Sequence, residues 1–185
     1  MRRALIWLLL IAAPLCAQPM SIDDAVAAPC REAAEAGSAS RPQLARCDRA
    51  IREPGLSAPV RLAMLMNRGI ARLRAGQLAK AEGDFDLAIR SAPGLAEAWI
   101  NKGIVIARMP GREREAVALI SHGIEMGPKE PARAYFARAQ ALEVAGRLKD
   151  AMDDYAAAAR ADPDWPAPAE ELKRFRVERR KVLRG

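Results

Sequence analysis

Three stretches of this chain end in proline and repeat one spacing of small and large residues. Ala81, Phe85, Ala88 and Pro93 recur as Ala116, Ile120, Gly123 and Pro128, and again as Ala151, Tyr155, Ala158 and Pro163. Gly76, Gly111 and Gly146 stand five residues ahead of each leading alanine. Further upstream, Leu65, Trp99 and Tyr135 each precede a small residue, Gly69, Gly103 or Ala139, by four positions. The period is about 35 residues, and within it the pattern reads as helix, glycine turn, second helix and proline turn. A two-helix unit cannot bury its own apolar face, so the copies must stack.

Each marked position has its own physical reason. Small residues at Gly69, Gly103, Ala139, Ala88, Gly123 and Ala158 let antiparallel helices approach closely, and Leu65, Trp99, Tyr135, Phe85, Ile120 and Tyr155 fill the space that remains. Glycine just past a helix supplies the left-handed terminal conformation. Proline after the second helix stops it. Alanine makes up roughly a fifth of the residues and threonine is absent, a composition that favours close-packed helices over sheets. The fold class expected is all-α.

These residues resemble the tetratricopeptide repeat, whose signature is an aromatic, a glycine, an alanine, an aromatic and a proline at such intervals. The resemblance covers about Leu62 to Trp165 and implies a short right-handed solenoid of antiparallel helix pairs. The repeats fall at about 62–95, 96–131 and 132–165, within a domain of 59–165. Arg72 stands where an aromatic is commoner, which is expected to loosen the first copy. Residues 18–58 read as a degenerate helix pair broken at Gly37-Ser38-Ala39-Ser40, with helices around Ala27 to Ala36 and Arg41 to Arg52. Residues 166–185 read as a basic capping helix.

The chain opens with Arg2 and Arg3 followed by the apolar run Ala4 to Ala13, broken by Pro14. A basic start, a short apolar stretch and a small-residue exit make a secretory signal peptide over 1–17, with cleavage expected after Ala17. The run is too short for a membrane span. Leu15 is too bulky for the residue before a lipid-carrying cysteine, which argues against lipidation of Cys16. Export to the periplasm or beyond is expected, and removing Arg2 and Arg3 lowers the net charge from +7 to about +5. Cys30 and Cys47 remain in an oxidising compartment. Each lies about eight residues from the reversal at Ser38 and Ala39, so on antiparallel helices they come side by side, and a disulfide is expected.

With a single histidine, no Ser-His-Asp triad with a spare base and no His-rich metal site can be assembled. His122 reads as a surface residue, and Asp153-Asp154 and Glu113 with Glu115 as helix-terminal charge. No phosphate loop or zinc spacing occurs, so neither catalysis nor cofactor nor metal is expected. The resemblance implies instead a peptide-binding concave wall made by the first helix of each repeat. Carried over residue by residue, that wall is Met66, Asn67 and Ile70, then Ile100, Asn101 and Ile104, then Arg133, Phe136 and Gln140. The clamp of Lys, Asn and Arg by which family members grip a C-terminal carboxylate is mostly replaced by apolar residues, with Arg133 the matching cation. An apolar peptide or amphipathic helix is the ligand implied, unless the chain's own flanking helix covers the wall.

The last helix concentrates charge: Lys173, Arg174, Arg176, Arg179, Arg180, Lys181 and Arg184 face Glu170, Glu171 and Glu178. Leu172, Phe175, Val182 and Leu183 can dock one face while the cations stay in water. A solvated cap and contact with an anionic membrane surface or acidic partner are both open. Nucleic acid is not an expected partner, because no aromatic stacking platform accompanies these charges.

Overall fold

Turn chemistry sets the helix boundaries. Gly76 and Gly146 adopt φ of 71° and 73°, a region that costs side-chain-bearing residues strain. Beside them Gln77 N–H bonds back to the Arg72 carbonyl at 2.8 Å and Arg147 N–H to the Leu142 carbonyl at 2.8 Å, closing the helix ends in the same way. The computed structural model describes residues 22–182, with side chains described over 25–175. The signal peptide expected over 1–17, Cys16 and Arg184 lie outside the described residues, as do the side chains of Arg176, Arg179, Arg180 and Lys181.

The described residues form nine helices and no strand: α1 (Ile22–Glu35), α2 (Arg41–Ala50), α3 (Ala58–Arg74), α4 (Leu78–Ser91), α5 (Ala96–Ile106), α6 (Glu113–Glu125), α7 (Pro131–Val144), α8 (Leu148–Ala161) and α9 (Ala167–Val182). The pairs α3–α4, α5–α6 and α7–α8 pack most closely, each second helix then meets the next first helix, and α9 closes on α8. The small residues do what their spacing implies. A Cβ on Gly103 would lie 2.5 Å from Ile120 Cγ1, and a Cβ on Gly123 would lie 2.6 Å from Ile100 Cγ1. Leu65, Phe85, Ile120 and Tyr155 are buried. Trp99 and Tyr135 are half-buried instead. The Trp99 indole donates to the Pro93 carbonyl at 2.9 Å and meets His122 edge to face, whereas Tyr135 lies under the Arg138 guanidinium.

The N-terminal pair departs from the regular pattern. Helix α1 starts at Ile22, ahead of the expected Ala27, and continues through Pro29. Helix α2 begins with Ser40, whose hydroxyl accepts from Gln43 N–H while the Gln43 side chain accepts from Ser40 N–H, a reciprocal cap that satisfies two terminal donors. It is α1, more than α2, that lies along α3. Between them the Cys30 and Cys47 sulfurs lie at bonding distance with their Cα atoms 4.6 Å apart, inside the range a disulfide requires. Both cysteines are fully buried among Ile51, Met64 and Leu65.

Candidate functional site

A groove of about 900 Å³ opens on the side of the array formed by the first helices. Helix α3 contributes Met66, Ile70, Leu73 and Arg74, α5 contributes Ile100, Asn101 and Ile104 with Leu95 and Glu97 at its start, and α7 contributes Arg133 and Ala134 behind the loop Pro128-Lys129-Glu130. None of the described helices lies across it. Helix α1 packs on α3, and α9 packs on α8 through Phe175 and Leu172.

Six of the nine wall residues named from the sequence meet here: Met66, Ile70, Ile100, Asn101, Ile104 and Arg133. Ile100 is only 8% exposed, because its side chain is spent on the close approach to Gly123. Asn101 uses its amide within its own helix, donating to the Glu97 carbonyl at 2.9 Å. Asn67 is half-buried outside the groove lining.

Phe136 and Gln140, also named from the sequence, lie outside this groove's lining. Phe136 packs against Tyr155 at 5.2 Å and Trp165 at 4.8 Å between ring centroids, so the turn after α8 folds over it. Gln140 belongs to a separate cleft with Glu143, Val144, Tyr155, Glu171 and Arg174. In the last repeat the chain covers Phe136, while Arg133 and Gln140 stay exposed, and the apolar groove ends at α7.

The basic helix is partly committed to the fold. Arg174 donates to Glu143 at 2.7 and 2.8 Å and to Glu171 at 2.8 Å, and these carboxylates hold its guanidinium well above its ordinary range. Lys173 is exposed and Phe175 is buried.

A polar strap missed in the sequence binds the array together. Arg68 forks onto the buried Asp84, Nη2 donating to Oδ1 at 2.6 Å and Nε to Oδ2 at 3.1 Å, while its Nη1 reaches Asp48 at 3.0 Å. Arg72 meets the same two carboxylates at 2.8 Å each. The residue expected to loosen the first repeat therefore helps close a ring of two arginines and two aspartates. Arg138 repeats the arrangement, forking onto Asp154 at 2.7 and 2.8 Å and donating to Ser121 Oγ at 3.2 Å. Lys102 occupies the middle station and pairs with Asp86 at 2.7 Å. The signal was a cation just before the small residue in every copy, Arg68, Lys102 and Arg138, with Asp84 and Asp154 two periods apart.

Among the described residues, no helix is long and apolar enough to cross a membrane, and no group of three His, Cys, Asp or Glu side chains is placed to hold a metal ion. No protein family and no curated protein sequence matches this chain. Among solved structures, that of the MamA RS-1 ArsTM double mutant matches with a TM-score of 0.60 at 19% identity, over 86% of this chain and 86% of that one. Likeness at that identity speaks for architecture alone, and the architecture is an all-α array of antiparallel helix pairs of the tetratricopeptide kind.

Proposed function

We propose that this chain is a non-catalytic protein-interaction adaptor that holds an apolar peptide or helix in its concave groove. The observation that carries the reading is the open groove itself, walled by Met66, Ile70, Leu95 and Ile104 and left uncovered by the described helices. An unfilled apolar concavity on a helical repeat array fits recognition of an apolar segment. The shared architecture with the MamA RS-1 ArsTM double mutant supports a scaffold role at a coarse level. The basic, then apolar, then small-residue anatomy of residues 1–17 supports action in the periplasm or outside the cell. The alternative, an envelope-associated structural protein touching an anionic surface, draws on exposed Lys173 and the basic residues that follow it.

Leu95 offers a cleaner test than Ile104, which packs into two core clusters. Leu95 is the N-cap of α5, in extended conformation and without a side-chain cap bond. Leu95→Asp places a carboxylate in the groove and supplies a favoured N-cap, worth about 1 kcal/mol to the helix. The variant should melt no lower than the parent yet lose partner capture from envelope extracts. Equal capture by both proteins would move the function away from the groove.

A further inference from the structure

We infer that a cleft at the joint between the last two repeats binds a guanidinium, the arginine side chain of a protein partner. The cleft holds about 330 Å³ between α6, α7 and α8 and shares no lining residue with the groove. The three copies treat one station of the fold differently. In the first, Asp84 takes the fork from Arg68 and then a second guanidinium, that of Arg72, at 2.8 Å. In the second, Ile106 stands in the place of Arg72 and Leu119 in that of Asp84, and the two share one apolar cluster. Neither charge is present there. In the third, Leu142 stands in the place of Arg72, but Asp154 keeps the carboxylate of Asp84. The station is half-filled, and the cleft opens at it, with Leu142, Asp154 and Ser121 in its wall.

Asp154 is 7% exposed, and its ion pair among the described residues is the fork from Arg138, one donor to each oxygen. A carboxylate accepts about four hydrogen bonds, so each oxygen has a place left. Asp84 shows that such a forked, buried carboxylate takes a further guanidinium nitrogen. The rim differs from the first copy as well. Asp150 and Asp153 stand where Lys80 and Gly83 stand there. Arg147, in the place of Gln77, pairs with Asp150 at 2.6 Å, whereas Asp153 is exposed and has no ion pair among the described residues. Two arginines and three aspartates line the cleft, and one added positive charge brings them to balance. Val117 and Leu142 give an arginine's methylenes apolar surface to lie on. A planar guanidinium reaches two acceptors through separate N–H groups, as Arg72 reaches Asp84 and Asp48, while an ammonium offers no such fork.

The test titrates the isotope-labelled, purified chain with three small probes and follows its backbone amides by NMR. The probes are the Nα-acetyl amides of arginine, of lysine and of citrulline, which keeps the shape of arginine without its charge. The arginine probe should shift the amides of Ser121, Leu142, Asp153 and Asp154. It should reach half-saturation at a concentration about five-fold below that of the lysine probe, and the citrulline probe should leave these amides unmoved. Asp153→Asn, an exposed change, should weaken arginine binding about three-fold with the melting temperature unchanged. Leu142→Arg supplies the guanidinium from within and should abolish the shifts. Because Leu142 is also a core residue, Asp153→Asn decides the matter if that variant does not fold. Arginine and citrulline acting alike, lysine binding as tightly as arginine, or arginine shifts that map elsewhere would each overturn the site. So would unchanged arginine binding in Asp153→Asn or in a folded Leu142→Arg. None of these results touches the groove reading, whose own test is capture by Leu95→Asp.

Discussion

Ile120 Cγ1 stands 2.5 Å from the point that a Cβ on Gly103 would occupy, and Ile100 stands in the matching place over Gly123. The exchange is reciprocal across α5 and α6, each helix giving an isoleucine and receiving one over a bare Cα. Backbone is close as well, with the Ala116 carbonyl 3.0 Å from the same point on Gly103. Neither helix can withdraw without opening the other contact.

Glycine-to-alanine changes should therefore have opposite signs at two sites. Gly103→Ala is expected to destabilise by about 1–3 kcal/mol, since a side chain forced into a packed interface shifts backbone. Gly83, inside α4, has nothing within 4 Å of its Cβ position, and Gly83→Ala should stabilise by about 1 kcal/mol through helix propensity. Urea unfolding midpoints of the two variants check both.

The Arg–Asp ring gives a second contrast. Asp84 is 1% exposed and Asp84→Asn leaves Arg68 and Arg72 sharing Asp48 alone, a loss of about 3 kcal/mol for a broken buried pair. Arg147→Ala removes an exposed pair with Asp150 and should change stability by less than about 1 kcal/mol. Thermal melts of both variants in one buffer would reveal the difference.

Thiol titration of non-reduced, denatured protein should find Cys30 and Cys47 unreactive. Reduction, or a Cys30→Ser, Cys47→Ser double change, should cost about 3 kcal/mol for a loop of this length. The loss should appear first as faster amide exchange in α1, which the link joins to α2.

Tyr155 supplies a pH prediction. Burial pushes its phenol well above the usual value, and Glu143 beside it adds to the shift. Because the folded state holds this proton where the unfolded state releases it, the contribution to stability is complete below about pH 10 and is lost as pH rises further. Alkaline absorbance titration should show the Tyr155 phenolate appearing only with loss of helicity, the assignment resting on Tyr155→Phe.

The sequence carried the features that repeat at short range. The glycine turns, the small residues under Ile100 and Ile120 and the facing cysteines follow from spacing alone, because each depends on one helix pair. Phe136 lies outside the groove lining for a reason outside that pair. It occupies the station of Met66 and Ile100, and those face the groove, but Trp165, in the turn that ends the last repeat, folds back over it. No periodicity encodes where an array begins to cover itself. The ring of two arginines and two aspartates escaped because its members lie on three helices, and Arg72 looks like a lapse from an aromatic pattern until Asp48 and Asp84 are seen on either side of it.

That strap bears on how many units such an array can have. Asp48, Asp86 and Ser121 occupy one station in successive copies, each meeting the cation of the helix that follows: Arg68, Lys102 and Arg138. Excising the middle unit would bring Arg138 opposite Asp86, so the new junction would join a guanidinium to a carboxylate where a hydroxyl stood before. At the strap, then, the junctions are alike: a copy lost or gained would still set a cation against an acceptor. The groove has no such freedom, since α3, α5 and α7 each supply a side of it. The chemistry of the joints would permit other numbers of copies, while a groove walled on three sides requires all three.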